Sequence, residues 1–198
     1  MPSCSNETLH IWQKTMAFPN KSILNPVIGQ QLTFLKTTKD TNGTLLEIEA
    51  TYLKASQEPP PHFHPFQEET FTVLTGRIQL RINGVLTVLE TGESIHLPKH
   101  TIHSMWNEGP EPASVNWRTY PALDTEYFLE TSAGLAIDGK TNAKGMPGLL
   151  QVALLASRFS REFRLARPSY TIQKLLFMLL KPVARLKGYR STYPHHID

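Results

Sequence analysis

Residues 77–82, Arg-Ile-Gln-Leu-Arg-Ile, alternate polar and apolar side chains without a break. Asn83-Gly84 follows, and residues 85–89 run back. Asparagine and glycine both tolerate the positive φ of a two-residue type I′ turn, so this is the strongest short-range hairpin signal in the chain. Strict alternation puts one face of each strand in a core. A hairpin of this kind needs further strands beside it, and the sequence supplies them. Residues 31–37 and 44–53 are rich in β-formers and flank the turn Asp40-Thr41-Asn42-Gly43. Residues 70–74 alternate up to Thr75-Gly76, Thr91-Gly92 turns into 94–97, and 102–106 follows. Short, closely spaced strands with turns between them predict a mainly β fold, an antiparallel sandwich or barrel.

The pattern changes after Pro121. Residues 124–135 read as a short helix with Asp124 as N-cap. Met146-Pro147-Gly148 precedes a helical run to about 163. A last run, 170–186, has Pro182 inside and Gly188 beyond, which predicts a kink at the proline and a stop at the glycine. Residues 141–148 are the expected hinge. The chain therefore divides into a β body with N-terminal strands, 1–121, and a helical extension, 122–198. Charge divides the same way: residues 1–139 carry 9 Lys/Arg against 15 Asp/Glu, and residues 140–198 carry 11 against 2. A basic extension on an acidic body implies an anionic partner, which is lipid, nucleic acid, the body itself or a second copy of it. No recognition motif or aromatic stacking platform accompanies the basic residues, so nucleic acid is set aside. The apolar run 175–180 is too short to span a bilayer. Being apolar all round, it is expected to be covered by the barrel flank, a second subunit or a membrane surface, the last contacted through 170–190. Exposed barrel edges make a homodimer the expected assembly.

At 198 residues, 40% hydrophobic and 19% charged, the chain has the makings of a globular core rather than of a disordered segment. Cys4 is the only cysteine, which excludes an intrachain disulfide and any Cys-based zinc site. The first residues lack a basic and apolar leader pattern, so the expected location is the cytoplasm, with a peripheral place on the inner face of a membrane if the tail docks there. On the same ground the sequons at Asn6 and Asn42 are read as chance.

Histidine carries the chemistry. A divalent transition metal takes neutral imidazoles and carboxylates that converge on one point. His62 and His64 stand two apart, so on a strand they share a face from which Phe63 points away. Glu69, Phe71 and Val73 alternate with Glu68, Thr70 and Thr72, and the apolar set faces inward. Parity thus turns Glu69 toward the interior and Glu68 away, although a strand-entry carboxylate in water is the other reading of Glu69. His96, His100 and His103 fall within eight residues. His103 begins an alternating run with Met105 on its face. His96 is either a donor or acid/base beside a site or a solvent-facing strand residue, and His100 reads as a turn residue. Phe71, Val73 and Met105 would line a pocket or simply pack a core.

Two stretches resemble the paired motifs of the cupin superfamily. The first is H-F-H-P-F-Q-E-E-T-F-T-V-L-T-G, with His62, His64, then four residues to Glu69 and six more to Gly76. The second is G-E-S-I-H-L-P-K-H-T-I-H-S-M-W-N, in which Gly92, Pro98, His103 and Asn107 hold the spacing and His100 replaces the motif's second glycine. The resemblance covers about 32–120. It implies a double-stranded β-helix, a jelly-roll barrel, and a metal held by His62, His64, Glu69 and His103. Iron, manganese, nickel, cobalt, copper and zinc all suit such ligands, whereas magnesium and calcium do not. It further implies a small organic ligand or substrate, with oxidoreductases of the dioxygenase (quercetinase) type among the enzymes. The alternative is a noncatalytic small-molecule binder, attached to a membrane surface through its tail.

Overall fold

The computed structural model describes residues 17–197; Cys4 and the Asn6 sequon lie outside them. The strands in chain order are β1 (Ser22–Asn25), β2 (Gln30–Lys36), β3 (Leu46–Tyr52), β4 (His62–Phe63), β5 (Glu68–Thr75) and β6 (Arg77–Ile82). They continue as β7 (Val85–Glu90), β8 (Ser94–Leu97), β9 (His103–Trp106) and β10 (Ala113–Tyr120). The helices are α1 (Thr125–Ile137), α2 (Leu149–Arg158) and α3 (Tyr170–Leu186), with a short strand β11 (Arg164–Leu165) between the last two. A six-stranded sheet, ordered β1-β2-β3-β10-β5-β8, faces a five-stranded one, ordered β11-β4-β9-β6-β7, and every pairing is antiparallel. This is the jelly-roll barrel, with the helices following it in the chain.

The hairpin that opened the sequence analysis forms as expected. Ile82 pairs with Val85, and Asn83 and Gly84 both take positive φ, 49° and 89°. Alternation then sorts the inner faces: Phe71, Val73, Ile78, Leu80, Leu97 and Val115 pack between the sheets. Gly76 closes the turn from β5 to β6 at φ 74°, where a Cβ would come within 2.8 Å of the Pro112 carbonyl oxygen. Only glycine meets both demands.

β10 is missing from the strand reading of the sequence, yet it lies between β3 and β5 at the centre of the larger sheet. Its alternation is plain in retrospect, since Val115 and Thr119 are buried while Ser114, Asn116 and Arg118 are not. β1 and β11 also went unread, the latter only two residues long, whereas the strand expected at His62 forms as the two-residue β4.

In the extension, α1 ends in a Schellman motif: Gly139 N–H donates to Ala136 and Lys140 N–H to Leu135. α3 runs through Pro182 to Leu186 and closes the same way, with Gly188 N–H on Arg185 and Tyr189 N–H on Ala184. The expected hinge, 141–148, is a tight loop bridged by Thr141 and Pro147. The apolar run of α3 narrows the sequence reading, which offered the barrel flank, a second subunit or a membrane surface as its cover. Phe177 is buried, but Leu175, Met178 and Leu179 are more than half exposed, so the described residues do not cover the run. Among the described residues no helix is long and apolar enough to cross a membrane.

Candidate metal centre

The barrel brings four of the side chains singled out in the sequence to one place, from both sheets. His62 on β4 pairs directly across from His103 on β9. His64 follows one residue beyond β4, and Glu69 reaches in from β5 on the opposing sheet. One ring nitrogen from each of His62, His64 and His103 lies within 4.8 Å of the others. Glu69 Oε2 stands 3.2 Å from His64 Nε2 and 3.1 Å from His103 Nε2. Glu69 is 1% exposed, while Glu68 is turned outward toward His96 at 3.6 Å and Lys99 at 3.7 Å. Strand parity therefore sorts the two acids as read. His96 is exposed and bonds with Thr70, so it stands outside the site, and His100 sits in its turn at φ 66°, the conformation the displaced glycine would take.

The tautomers follow from what each Nδ1 meets. In His62, His64 and His103 this nitrogen is bonded to a backbone carbonyl, of Pro60 (3.3 Å), Glu162 and Thr101 (3.0 Å) respectively. A carbonyl only accepts, so each Nδ1 carries the proton and each Nε2 is left with a lone pair. Trp117 Nε1–H donates to Glu69 Oε1 at 2.9 Å, which fixes the carboxylate and leaves its Oε2 for the imidazoles. The buried Nε2 of His64 and Oε2 of Glu69 have no hydrogen-bond partner. Lone pairs facing one another at such distances, away from water, repel unless a proton or a metal cation lies among them.

The electrostatics agree. Burial, reinforced by the imidazoles of His103 and His64, holds His62 well below the ordinary histidine range, so it is neutral. Burial also opposes charge on His64, but the adjacent Glu69 carboxylate outweighs it and raises this histidine. Burial would lift Glu69 as well, and His64 and His103 overcome it, holding the carboxyl well below its usual range. The site is built to concentrate negative charge and lone pairs toward one point. Oxygen and nitrogen ligands bonded at about 2.1 Å and at right angles to one ion stand about 3.0 Å apart, close to the observed Nε2–Oε2 separations. The donor set thus fits a divalent transition metal.

The four side chains open into a cavity of about 250 Å³. Part of its wall is barrel: Phe71, Met105 and Trp117. The rest belongs to the extension, including Phe128 and Leu129 of α1, Val152 and Leu155 of α2, Met146 of the 141–148 loop, and Phe163. β11 pairs with β4, setting Leu165 opposite His62 and Arg164 opposite Phe63. That pairing lays the Phe163 ring 4.8 Å from the His62 ring and brings the Glu162 carbonyl to His64. Sequence reasoning missed this contribution. The partners lie about a hundred residues from the histidines, and no local pattern announces them. A second cluster, Asp138, His195 and His196, lies near the surface, where Lys140 Nζ already answers Asp138 Oδ2 at 2.8 Å.

Residues 49–118 match the family model of the cupin domain. An oxidoreductase of Arthrobotrys oligospora is 35% identical over 86 residues, covering 38% of this chain and 33% of that protein. The tetracenomycin polyketide synthase protein TcmJ of Streptomyces glaucescens is 30% identical over 81 residues, covering 41% of this chain and 52% of that protein. The chain thus spans between a third and about half the length of these curated relatives. Among solved structures, an RmlC-like cupin from Shewanella frigidimarina is similar at 22% identity and a TM-score of 0.45, over 56% of this chain and 93% of that one. The family match ends before α1, so the helical layer that walls the cavity lies outside it.

Proposed function

Residues 49–118 of this chain are a cupin domain, and we propose that the chain is a metal-dependent oxidoreductase of the dioxygenase type acting on a small, largely apolar organic molecule. The observation that carries this reading is the convergence of three imidazoles, with the Glu69 carboxylate beside two of them, in the wall of a largely apolar cavity. His62, His64, His103 and Glu69 would hold one divalent ion, with iron, manganese, nickel, cobalt, copper and zinc all suited to the set. Such an ion supplies Lewis acidity and, for redox-active metals, access to dioxygen.

The chain's own residues do the rest. The carbonyls of Pro60, Glu162 and Thr101 and the Trp117 indole orient the ligands. Phe71, Met105, Phe128 and Phe163 supply the apolar walls that select an apolar or aromatic substrate and keep water away from it. Glu162 is 4% exposed, and its Oε2 has no partner. It lines the same cavity, which makes it the group available to accept a substrate proton. The oxidoreductase among the relatives supports the reaction class.

The test begins with elemental analysis of the purified chain. About one transition metal per chain is expected, and the His62→Ala/His103→Ala double variant should lose it; stoichiometric metal in that variant removes the ligand assignment. Oxygen uptake is then screened with flavonoids, small diketones and catechols. Metal-dependent consumption is expected; a metal-loaded chain that binds such compounds yet consumes no oxygen is the noncatalytic binder instead.

A further inference from the structure

Helix α3 carries three stripes. Gln173, Phe177 and Ala184 are buried, and Gln173 Nε2 donates to the carbonyls of Leu165 and Pro168, anchoring this face to the body. Ile172, Leu175, Leu179, Val183 and Leu186 form a second stripe at helical spacing, 44% to 89% exposed. Its axis lies about 140° around the helix from the buried face. Lys174, Lys181 and Arg185 form the third, along one border between the other two. The helix contains no acidic residue.

The basic border continues into a cleft of about 400 Å³ lined by Arg158, Lys181, Arg185, Tyr189 and Arg190. Arg158 is paired with Asp124 at 2.7 Å. Lys181, Arg185 and Arg190 make no ion pair among the described residues. Two observations therefore point the same way: an exposed apolar face, and beside it a cleft that gathers unanswered positive charge.

We propose that α3 lies in the plane of an anionic phospholipid surface, with Leu175, Leu179 and Leu186 among the acyl chains and the Lys181–Arg185–Arg190 cleft holding lipid phosphates. An amphipathic helix with a cationic border is the form that binds at an interface without spanning it. Anionic headgroups supply the charge that the cleft lacks. The inference does not depend on the metal or on the proposed oxidation.

Flotation of the full chain with vesicles tests it. Binding is expected to an equimolar mixture of phosphatidylcholine and phosphatidylglycerol, with little binding to phosphatidylcholine alone and weakening as salt rises. Lys181→Glu/Arg185→Glu should lower the partition coefficient at least about tenfold. Leu175→Glu/Leu179→Glu should abolish binding, with the far-UV circular dichroism and melting temperature of both variants unchanged, since Leu175, Leu179 and Arg185 are exposed and Lys181 is only partly buried. Equal binding to neutral vesicles, no binding to either, or free phosphate displacing the lipid from an otherwise intact Leu175→Glu/Leu179→Glu complex would overturn the proposal. A dimer in sedimentation that Leu179→Glu dissociates would overturn it too, by assigning the face to a second copy.

Discussion

Glu69 is ionised in a place from which water is excluded, and the price is met by what surrounds it: the Trp117 N–H on one oxygen and two imidazoles on the other. Its neighbour Glu68 has the same side chain and none of these constraints. That contrast gives a prediction at single-residue resolution. Glu69→Gln should lower metal affinity by about a hundredfold or more, because an amide offers neither the charge nor the basic oxygen. Glu68→Gln should leave it unchanged. Competition against a graded series of chelators measures both; the reverse order would mean that parity has been misassigned. Period-two alternation on β5 made this distinction legible in the sequence, because a single register fixes every side chain on the strand. His100, read as a turn residue in the place of the motif's second glycine, was legible too, and the structure sets it in a turn at φ 66°. Trp117 was not legible, since the strand that carries it was not recognised and its partner lies 48 residues away.

Between elements, β11 has a role out of proportion to its two residues. It adds an edge to β4, and Ala166 N–H extends the ladder to the Pro61 carbonyl at 2.9 Å. Through it the segment 162–166 holds the second nitrogen of His64 and covers His62. Ala166→Pro removes that N–H and would loosen the edge while leaving the barrel sheets intact. Metal release to a chelator should then be about tenfold faster, with the far-UV circular dichroism unchanged; unaltered release would show that the histidines need no cover from the extension. The sequence showed most barrel strands through their own periodicity, with β10 the main omission, and the Asn83-Gly84 turn set the register of one pair without help. A two-residue strand has no period to read. Its pairing is decided by where α2 and α3 leave the chain, which is a property of tertiary packing and not of local composition.

At the scale of the molecule, α1 joins the helical layer to the barrel through two buried acids. Glu126 accepts the Thr38 N–H, and Glu130 pairs with Lys21 at 2.8 Å. Burial raises the carboxyl pKa of both, in Glu126 against the Thr38 hydrogen bonds and with help from the nearby charges of Glu130 and Asp40. A carboxyl raised on folding costs nothing below its unfolded pKa, where it is protonated in both states. It weakens the fold as pH climbs through its folded pKa, where ionisation must occur in a poor place for charge. Other acids act in the opposite sense. Burial raises Glu47, but its bonds to Lys36 and Arg118 prevail and lower it, while the Arg81 bond lowers Glu58; their stabilising effect is lost as pH falls through their folded pKa. The two sets act on stability in opposite directions of pH. Glu126→Gln separates them, because the amide oxygen can still accept from Thr38 and carries no charge. Urea unfolding should show the variant about equal to the parent near pH 4. It should become more stable than the parent as pH rises and the parent's Glu126 ionises. A variant less stable at neutral pH than at pH 4, relative to the parent, would mean that the Glu126 charge itself holds the helical layer to the barrel.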